Sequence, residues 1–257
     1  MKVQRIERLL ESGECDRYGF WKPNAIMSFM QELAGLHAIR LGMGREALVA
    51  DHQAVWVVTR HEMVIDRYPA VADNLVGKSF PTKARRGIYP RFYLVEDEAG
   101  QALVRGSSFW TLADIQSRTM TQVPEVSSLM PENEDLEKPL PYPTGAKELS
   151  QGREIRHRWQ PLYTDIDRNG HVNNSRAADW ALCFLSECVD LSKRPIRSLQ
   201  VTFHQEMLPG EEVALRFMID ENAFSLRCSR EERARVTLSG TLYEDYERER
   251  GEVQLPT

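Results

Sequence analysis

The sequence predicts an α+β fold made of two similar modules, each a long helix covered by an antiparallel β-sheet. Both halves of the chain contain one apolar helical segment followed by several extended segments, although the identity between the halves is low. Short polar turns between the extended segments favour antiparallel pairing, which leaves one face of the sheet for a helix to cover. Because a proline-rich stretch separates the halves, we assign residues 1–125 and 151–257 to the two modules and residues 126–150 to a linker.

The composition is that of a soluble globular protein. Hydrophobic residues make up 42% of the 257 residues and charged residues 28%, which is too apolar for a disordered chain. The net charge of -5 gives no indication of binding to nucleic acid or to an anionic membrane. The N-terminus lacks a secretory-type apolar run, no segment reaches membrane-spanning length, and the four cysteines form no CxxC motif. We therefore expect a cytoplasmic protein without a membrane segment.

The first module begins with a strand at residues 3–9 and a polar turn, after which Asn24 is positioned to cap a helix. Ile26, Met30 and Leu33 recur at helical spacing, and the glycines at positions 42 and 44 end the pattern. Because the apolar face carries few charges, this helix should be buried. Extended segments follow at residues 54–58, 59–65, 76–82, 89–96 and 102–112, the last two joined by a polar turn.

The linker and the second module follow the same plan. Prolines at positions 124, 131, 139, 141 and 143 remove backbone donors and fix φ, so we expect no regular element in residues 123–147. A strand at residues 154–159 then opens the second module, and a helix from about Asn174 to Val189 carries an apolar stripe. Four further strands are predicted, at residues 197–204, 212–219, 224–229 and 234–243.

A dense polar stretch, residues 164–180, lies between the first strand and the helix of the second module. Its sequence is TDIDRNGHVNNSRAADW, and residues 165–174 alone hold two carboxylates, an imidazole and three carboxamides. Such groups are costly in a core, because each buried one needs a partner. The stretch leads into a helix N-terminus, where the macrodipole favours developing negative charge on a bound carbonyl. A carboxylate and an imidazole beside that carbonyl would suit hydrolysis of an activated acyl group.

Metal binding is one alternative for this stretch. The run DIDRNG at residues 165–170 fits the opening of an EF-hand loop, but the twelfth position is Arg176, where a calcium loop needs a glutamate. A zinc site would need a second His or Cys at ligand spacing, and the stretch has none. We therefore expect no metal and no cofactor.

A tight turn that also caps the helix is the other alternative. Asparagine, aspartate and glycine are the residues that turns use, so a turn accounts for Asn169, Gly170 and one of the two asparagines that follow. It does not explain why both Asp167 and His171 accompany them. For these two residues a functional interpretation is therefore favoured.

The same stretch resembles the D-x-D-x-N-x-H-V-N-N…W motif of acyl-acyl carrier protein (ACP) thioesterases, with residues 165–174 and Trp180 at the matching positions. In the first half, residues 56–69 resemble that family's TR…I-x-R-Y-P stretch, and residues 107–118 resemble its S-x-W…D…R segment. The resemblance covers nearly the whole chain. It implies a tandem hot-dog fold, in which two modules each have a long helix wrapped by an antiparallel sheet, and this agrees with the element order.

The resemblance implies four catalytic residues: Asp167, Asn169, His171 and, on a strand after the helix, Glu206. Many plant members have a cysteine directly after this glutamate; Met207 stands here, so a cysteine nucleophile is unavailable at that position. We expect water to attack the thioester directly, with Glu206, alone or with His171, as the base. Asp167 would orient His171 or Asn169, and Asn169 with backbone N–H groups at the helix start would stabilise the oxyanion. The choice of base among Glu206, Asp167 and His171 is open at this point.

The resemblance also implies that the first module holds the acyl chain. Met27, Met30 and Met63 are candidates for lining it, because methionine adapts to irregular apolar contacts. Core packing is the competing explanation for each of them. Asn173 and Trp180 are further substrate-binding candidates from the motif.

The partner implied by the resemblance is ACP, an acidic protein, so a local basic face is expected. Candidate cations for that face are Lys83, Arg85 and Arg86, then Arg153, Arg156 and Arg158, and finally Arg168 and Arg176 beside the polar stretch. An acyl-CoA thioesterase is the nearest alternative function; a hot-dog hydratase or dehydratase and a non-catalytic acyl-binding module are more distant ones. Two fused modules are compatible with a monomer or a homodimer, and no nucleic acid or membrane partner is expected.

Overall fold

The computed structural model describes residues 2–247, which contain eleven strands and four helices. The strands are β1 (Gln4–Leu9), β2 (Ala54–Ile65), β3 (Asn74–Pro81), β4 (Tyr89–Glu96), β5 (Ala102–Asp114), β6 (Met120–Thr121), β7 (Arg153–Trp159), β8 (Ile196–Phe203), β9 (Val213–Asp220), β10 (Ala223–Arg230) and β11 (Arg233–Leu242). The helices are α1 (Pro23–Arg40), α2 (Arg45–His52), α3 (Pro124–Leu129) and α4 (Arg176–Ser186). Two short 3-10 turns, Ser12–Glu14 and Tyr163–Asp165, precede α1 and α4.

The strands form one antiparallel sheet whose two halves have the same strand order. From its outer edges inward the order is β1-β3-β4-β5-β2 on one side and β7-β9-β10-β11-β8 on the other. The halves meet where β2 pairs with β8, with His61 opposite Val201 and Met63 opposite Leu199. The short β6 lies off this path and pairs with β5. The predicted α+β fold with a repeated helix-and-sheet module is confirmed.

Each half packs its long helix against its own part of the sheet. Phe29 and Leu33 of α1 pack over Gly77 of β3, so closely that a side chain on this glycine would collide with them. In the second half Phe184 of α4 stacks on Phe217 of β9, with ring centroids 5.2 Å apart. Because α1 and α4 also contact each other, one apolar core runs through both halves.

The start of α1 differs from the prediction. The helix begins at Pro23, and its N-cap is Lys22 without a side-chain cap hydrogen bond, so the capping role predicted for Asn24 is wrong. Proline suits the first helical position, because its φ is already helical and its missing N–H would have no partner within the helix.

The sequence patterns miss two short helices. α2 follows Gly44 and is capped at its C-terminus by Gln53, whose φ of 49° lies in the left-handed region. α3 lies in the stretch for which no regular element was expected, and that expectation is wrong. Its first residue is Pro124, and proline breaks a helix in its interior but not at its first position.

The linker runs across the face of the sheet that points away from α1 and α4. Glu62 accepts a hydrogen bond from the backbone of Thr144, and it lies between two buried, helix-facing neighbours on β2. Further on, backbone N–H groups of the linker donate to Thr202 of β8, Ser239 of β11 and Ser225 of β10. The linker therefore binds the strands of both halves, one after another.

Gly240→Ala should destabilise the fold, because β11 passes too close to its neighbours for a side chain there. A Cβ on Gly240 would lie 2.3 Å from the backbone oxygen of Ser198 and 2.6 Å from the ring of Phe224. Since a backbone oxygen cannot rotate away, we expect the free energy of unfolding to fall by about 2 kcal/mol, measured by urea denaturation. Gly13→Ala is the matched control, because nothing lies within 4 Å of its Cβ position. Equal urea midpoints for the two variants would refute this account.

Candidate active site

Asp165 anchors the loop that carries most of the predicted site residues. Its side chain is 1% exposed; Oδ2 accepts from the backbone N–H of Leu162 at 2.8 Å, and Oδ1 accepts from Nε of Arg176 at 2.7 Å. Arg176 also bonds Asp179 at 2.6 Å, so it ties the loop to the first turn of α4. Asp165 is therefore a buried structural residue, and its ion pair holds the guanidinium of Arg176 in place.

Asp167 shapes the tight turn that follows. Its Oδ1 accepts from the backbone N–H of Asn169 at 2.7 Å and lies 3.5 Å from that of His171. Its own backbone pairs with His171, where the N–H of Asp167 donates to the carbonyl of His171 at 2.8 Å. Gly170 closes the turn with a φ of +81°, which glycine adopts without a side-chain clash.

The first half contains the same turn without the predicted catalytic side chains. Asp16 accepts from the backbone N–H groups of Tyr18 and Phe20, both at 2.9 Å, and Gly19 has a φ of +78°. The sequences are DRYGF in the first half and DRNGH in the second, so Phe20 occupies the place of His171. The contacts of Asp167 are thus those of a turn-forming aspartate, and what distinguishes the second copy is the imidazole and the carboxamide.

His171 and Glu206 are brought together by this loop. Nε2 of His171 lies 3.2 Å from Oε2 of Glu206, and the backbone N–H of Val172 donates to the carbonyl of Met207 at 2.9 Å, which fixes the two segments side by side. Glu206 is 42% exposed and His171 23%, so both are accessible to water. A carboxylate can only accept, so the imidazole proton lies on Nε2 in this pair.

Two arginines of the first half complete the site. Nη1 of Arg118 donates to Oε2 of Glu206 at 2.8 Å, and Nε of Arg45 donates to Oδ1 of Asn169 at 3.0 Å. Because arginine only donates, Oδ1 of Asn169 must face Arg45, and its Nδ2 then donates to Oδ2 of Asp167 at 3.3 Å. The site therefore lies where the two halves meet and takes side chains from both.

Sequence reasoning missed the contributions of these two arginines. Arg118 belongs to the segment that resembles the thioesterase family, which was a signal for its importance but not for its partner. Arg45 starts α2, which the patterns did not predict, and it is 124 positions from Asn169. Such contacts depend on how the halves pack, which local periodicity does not report.

The start of α4 offers fewer free donors than expected. The backbone N–H and Oγ of Ser175 donate to Oδ1 of Asn173 at 2.9 and 3.0 Å. The N–H groups of Arg176 and Ala178 donate to the carbonyls of Asn173 and Ser175. Asn173, a predicted substrate-binding residue, thus closes the turn before α4 in this structure.

The other predicted substrate-binding residues lie in the core. Trp180 is 5% exposed, and its ring centroid lies 6.1 Å from that of Trp159. Met27, Met30 and Met63 are fully buried, and Met30 packs where a side chain on Gly106 would reach. The structure does not bring any of these residues next to His171 through a described contact.

A partly open cavity lies beside α1 in the first half. Its empty volume is about 470 Å³ when the open solvent at its entrance is included. It does not include the three predicted methionines; the residues that line it are Gln31, Ala34, Gly35, Ala38, Met43, Trp56, Tyr89, Arg91, Trp110 and Met130. Met43 stands two positions before Arg45, whose side chain donates a hydrogen bond to Asn169 in the loop of the candidate site. The α1–α2 connection therefore links the cavity wall to the polar site.

Three of the four cysteines, Cys183, Cys188 and Cys228, are unsuited to nucleophilic attack. Burial raises the pKa of Cys228 to about 12, and its Sγ lies 3.4 Å from Sδ of Met207 in the core. Burial also raises the pKa of Cys183 and Cys188.

Among residues 2–247 no group of three His, Cys, Asp or Glu side chains is arranged to hold a metal ion. None of the helices in that range is long and apolar enough to cross a bilayer.

Comparison with known proteins gives consistent matches. The N-terminal domain of acyl-ACP thioesterases matches residues 3–128, and their C-terminal domain matches residues 148–245. A chloroplastic acyl-[acyl-carrier-protein] hydrolase of Cuphea viscosissima is 27% identical over 173 residues, which cover 61% of this chain and 41% of the relative. A chloroplastic dodecanoyl-[acyl-carrier-protein] hydrolase of Cinnamomum camphora is 24% identical over 198 residues, which cover 71% of this chain and 50% of the relative. The chain thus spans half or less of the length of these curated relatives.

Solved structures share the whole fold. The 12:0-ACP thioesterase from Umbellularia californica superposes with a TM-score of 0.81 at 18% identity, covering 94% of this chain and 97% of that one. An acyl-ACP thioesterase from Bacteroides thetaiotaomicron gives a TM-score of 0.78 at 20% identity, covering 94% and 98%. The tandem hot-dog fold implied by the sequence is therefore confirmed. With both characteristic domains matched in order along its length, the chain belongs to the acyl-ACP thioesterase family.

Proposed function

We propose that this protein hydrolyses the thioester of a fatty acyl group carried by ACP, releasing the free fatty acid and ACP. The observation that carries the proposal is the pair formed by His171 and Glu206, 3.2 Å apart and open to water. Glu206 holds Arg118 and His171 with the same oxygen, Oε2, and Oε1 has no protein partner among the described residues. Oε1 is therefore free to accept a proton from water.

This arrangement supports Glu206 as the general base. Both oxygens of Asp167 are engaged by the turn, and Nε2 of His171 is engaged by Glu206. We infer that Glu206 takes a proton from a water molecule while the water oxygen attacks the acyl carbonyl carbon. The C–S bond then breaks, the proton passes to the departing thiolate, and the products are a carboxylic acid and the thiol of ACP.

Asn169 is the proposed donor to the oxyanion. Its carboxamide has a second N–H besides the one directed at Asp167, and Arg45 fixes which end of the amide faces outward. A donor held in place before the reaction stabilises developing charge without reorganisation. The N–H groups at the start of α4 take no part in this proposal, because those of Ser175, Arg176 and Ala178 already donate within the loop.

The cavity beside α1 is the proposed site for the acyl chain. Most of its lining side chains are apolar or aromatic, and Met43 of its wall stands two positions before Arg45. Burial of a hydrocarbon chain there would be favourable by about 0.8 kcal/mol for each CH₂ group. The proposed chain-binding residues are therefore those of this cavity rather than Met27, Met30 and Met63, which do not line it.

The acidic carrier is proposed to approach from the side of the exposed cations around the site. Arg118 and Arg168 are 60% and 71% exposed; Arg118 bonds Glu206 at 2.8 Å, and Arg168 lies 3.8 Å from Glu46. Lys83 and Arg158 of the other candidate clusters are paired with Glu132 and Glu212, at 2.8 and 2.7 Å. A cytoplasmic location and a monomeric or homodimeric state stay predictions; the plant relatives described above are named as chloroplastic.

The direct test is thiol release from a panel of acyl-ACPs of different chain length, with matched acyl-CoAs. Faster release from acyl-ACP than from the matched acyl-CoA is the expected result. Release of no thiol from any substrate would refute the proposal. Equal or faster release from acyl-CoA would support the proposed thioester hydrolysis but reject ACP as the preferred carrier.

Arg118→Ala should reduce kcat with less effect on KM. The guanidinium of Arg118 holds Oε2 of Glu206, so its loss leaves the base free to move, and a roughly tenfold fall in kcat is expected. Arg118→Lys should restore part of the loss, because an ammonium can still donate to Oε2. Arg105→Ala is the control, since Arg105 on β5 pairs with Asp66 and does not touch the site. Unchanged kcat in Arg118→Ala would show that Glu206 needs no such support.

A further inference from the structure

The cavity beside α1 carries two polar groups that thioester hydrolysis does not use. One is the carboxamide of Gln31, whose Nε2 atom is buried and has no hydrogen-bond partner among residues 2–247. The other is the guanidinium of Arg91, a side chain that is 6% exposed. A buried donor without an acceptor costs about 1–3 kcal/mol, so an apolar cavity would be expected to avoid one.

Arg91 is a buried cation without an acidic neighbour. Its Nη1 lies 3.2 Å from Nδ1 of His37 and donates to Oγ of Ser79 at 3.1 Å, and the described residues offer it no salt bridge. Burial lowers the pKa of Arg91, which reflects the cost of placing a charge there. Buried charges in proteins are usually paired, so this one lacks a negative or strongly accepting group on the cavity side.

Three neighbouring polar side chains of the same face, those of Tyr93, Ser108 and Trp110, bond one another. The hydroxyls of Tyr93 and Ser108 are 2.9 Å apart, and Nε1 of Trp110 donates to Oγ of Ser108 at 2.7 Å. Arg91 pairs with Ser108 in the β4–β5 register, so all four residues lie on the face of the sheet that α1 covers. Of the residues that line the cavity, only Gln31 has a buried side-chain N or O atom without a hydrogen-bond partner among residues 2–247.

We propose that this cavity selects an acyl chain that carries an acceptor oxygen, a hydroxyl or oxo group, which accepts hydrogen bonds from Gln31 and Arg91. The proposal rests on the proposed function, since it names the class of chain that the thioesterase would prefer. An oxygen on the chain would satisfy Nε2 of Gln31 and place an acceptor beside the unpaired cation. A plain hydrocarbon chain would leave Nε2 of Gln31 without an acceptor and the charge of Arg91 without an accepting group on the cavity side, and it would keep their desolvation cost.

The test measures binding of free acids to the whole chain by calorimetry, so it does not depend on turnover. The probes are fatty acids of one length with a single hydroxyl at successive carbons, and the unsubstituted acid is the reference. At least one hydroxy acid should bind about tenfold more tightly than the reference, the effect of one good hydrogen bond. Equal affinity for all the acids would overturn the proposal.

Gln31→Met is the matched variant, because methionine keeps the length of the side chain and removes the donor. It should abolish the preference for the hydroxy acid without lowering the melting temperature, since the lost donor has no partner in the protein. Gln101→Met, on the exposed β4–β5 turn, is the control and should keep the preference. A preference that persists in Gln31→Met would refute the role of Gln31. If selective binding is found but no acyl-ACP is hydrolysed, the proposed hydrolysis fails and the selective cavity stands.

Discussion

Glu206→Gln is expected to reduce kcat on acyl-ACP by roughly 10²- to 10⁴-fold, the range for loss of a general base. Glutamine keeps the size of the side chain and one acceptor oxygen for Arg118 and His171, so the loop should stay in place. It cannot take a proton from water at the position of Oε1. The measurement is thiol release at saturating acyl-ACP, so that kcat is separated from KM.

Glu212→Gln is the control for this experiment. Glu212 is 59% exposed, pairs with Arg158 and lies on the same β8–β9 connection, so its loss should leave kcat unchanged. His171→Asn separates the two members of the pair. If Glu206→Gln retains full turnover while His171→Asn loses it, the imidazole is the base and the assignment to Glu206 is wrong.

Asp165→Ala is expected to lower the free energy of unfolding by about 3–4 kcal/mol, because it breaks a buried ion pair from one side. The substitution removes the acceptor of the Leu162 N–H and one of the two acidic partners of Arg176. Asp179 keeps one contact with Arg176, which holds the loss at the lower end of the range for such pairs. Urea denaturation gives the stability, and thiol release at a temperature where the variant is folded gives the activity.

Asp190→Ala serves as the comparison for Asp165. Asp190 is an exposed turn aspartate that accepts from Ser192, so its removal should lower the free energy of unfolding far less than removal of Asp165 does. If both variants unfold at the same urea concentration, the buried pair of Asp165 and Arg176 does not anchor the loop.

Much of the fold could be predicted because its strands and long helices carry strong periodic patterns. The strands from β1 to β11, apart from the two-residue β6, lie within a few residues of their predicted ranges. α2 and α3 were missed because they have eight and six residues and no side-chain cap. In α3 the first residue, Pro124, also argued against a helix, although proline is tolerated at the first helical position.

The candidate site was predictable only as far as it is local in sequence. The loop of Asp167, Asn169 and His171 is contiguous, and family resemblance supplied Glu206. The ion pair of Glu206 with Arg118 joins residues 88 positions apart and depends on how the two halves pack. The cavity likewise depends on the packing of α1 on the sheet. The positions of methionines in the sequence therefore could not predict where it lies.

The seam between β2 and β8 has a consequence for how the two halves can exist. In each half that strand is the inner edge, and in β2 it runs for 12 residues with the apolar sequence AVWVV at its start. Either half made alone would expose this edge with its unpaired backbone groups, which is a template for aggregation. The outer edge strands β1 and β7 are shorter and rich in arginine and glutamate, features that discourage such pairing. During synthesis the first half is therefore exposed to wrong strand pairing at β2 until β8 has been synthesised and can pair with it.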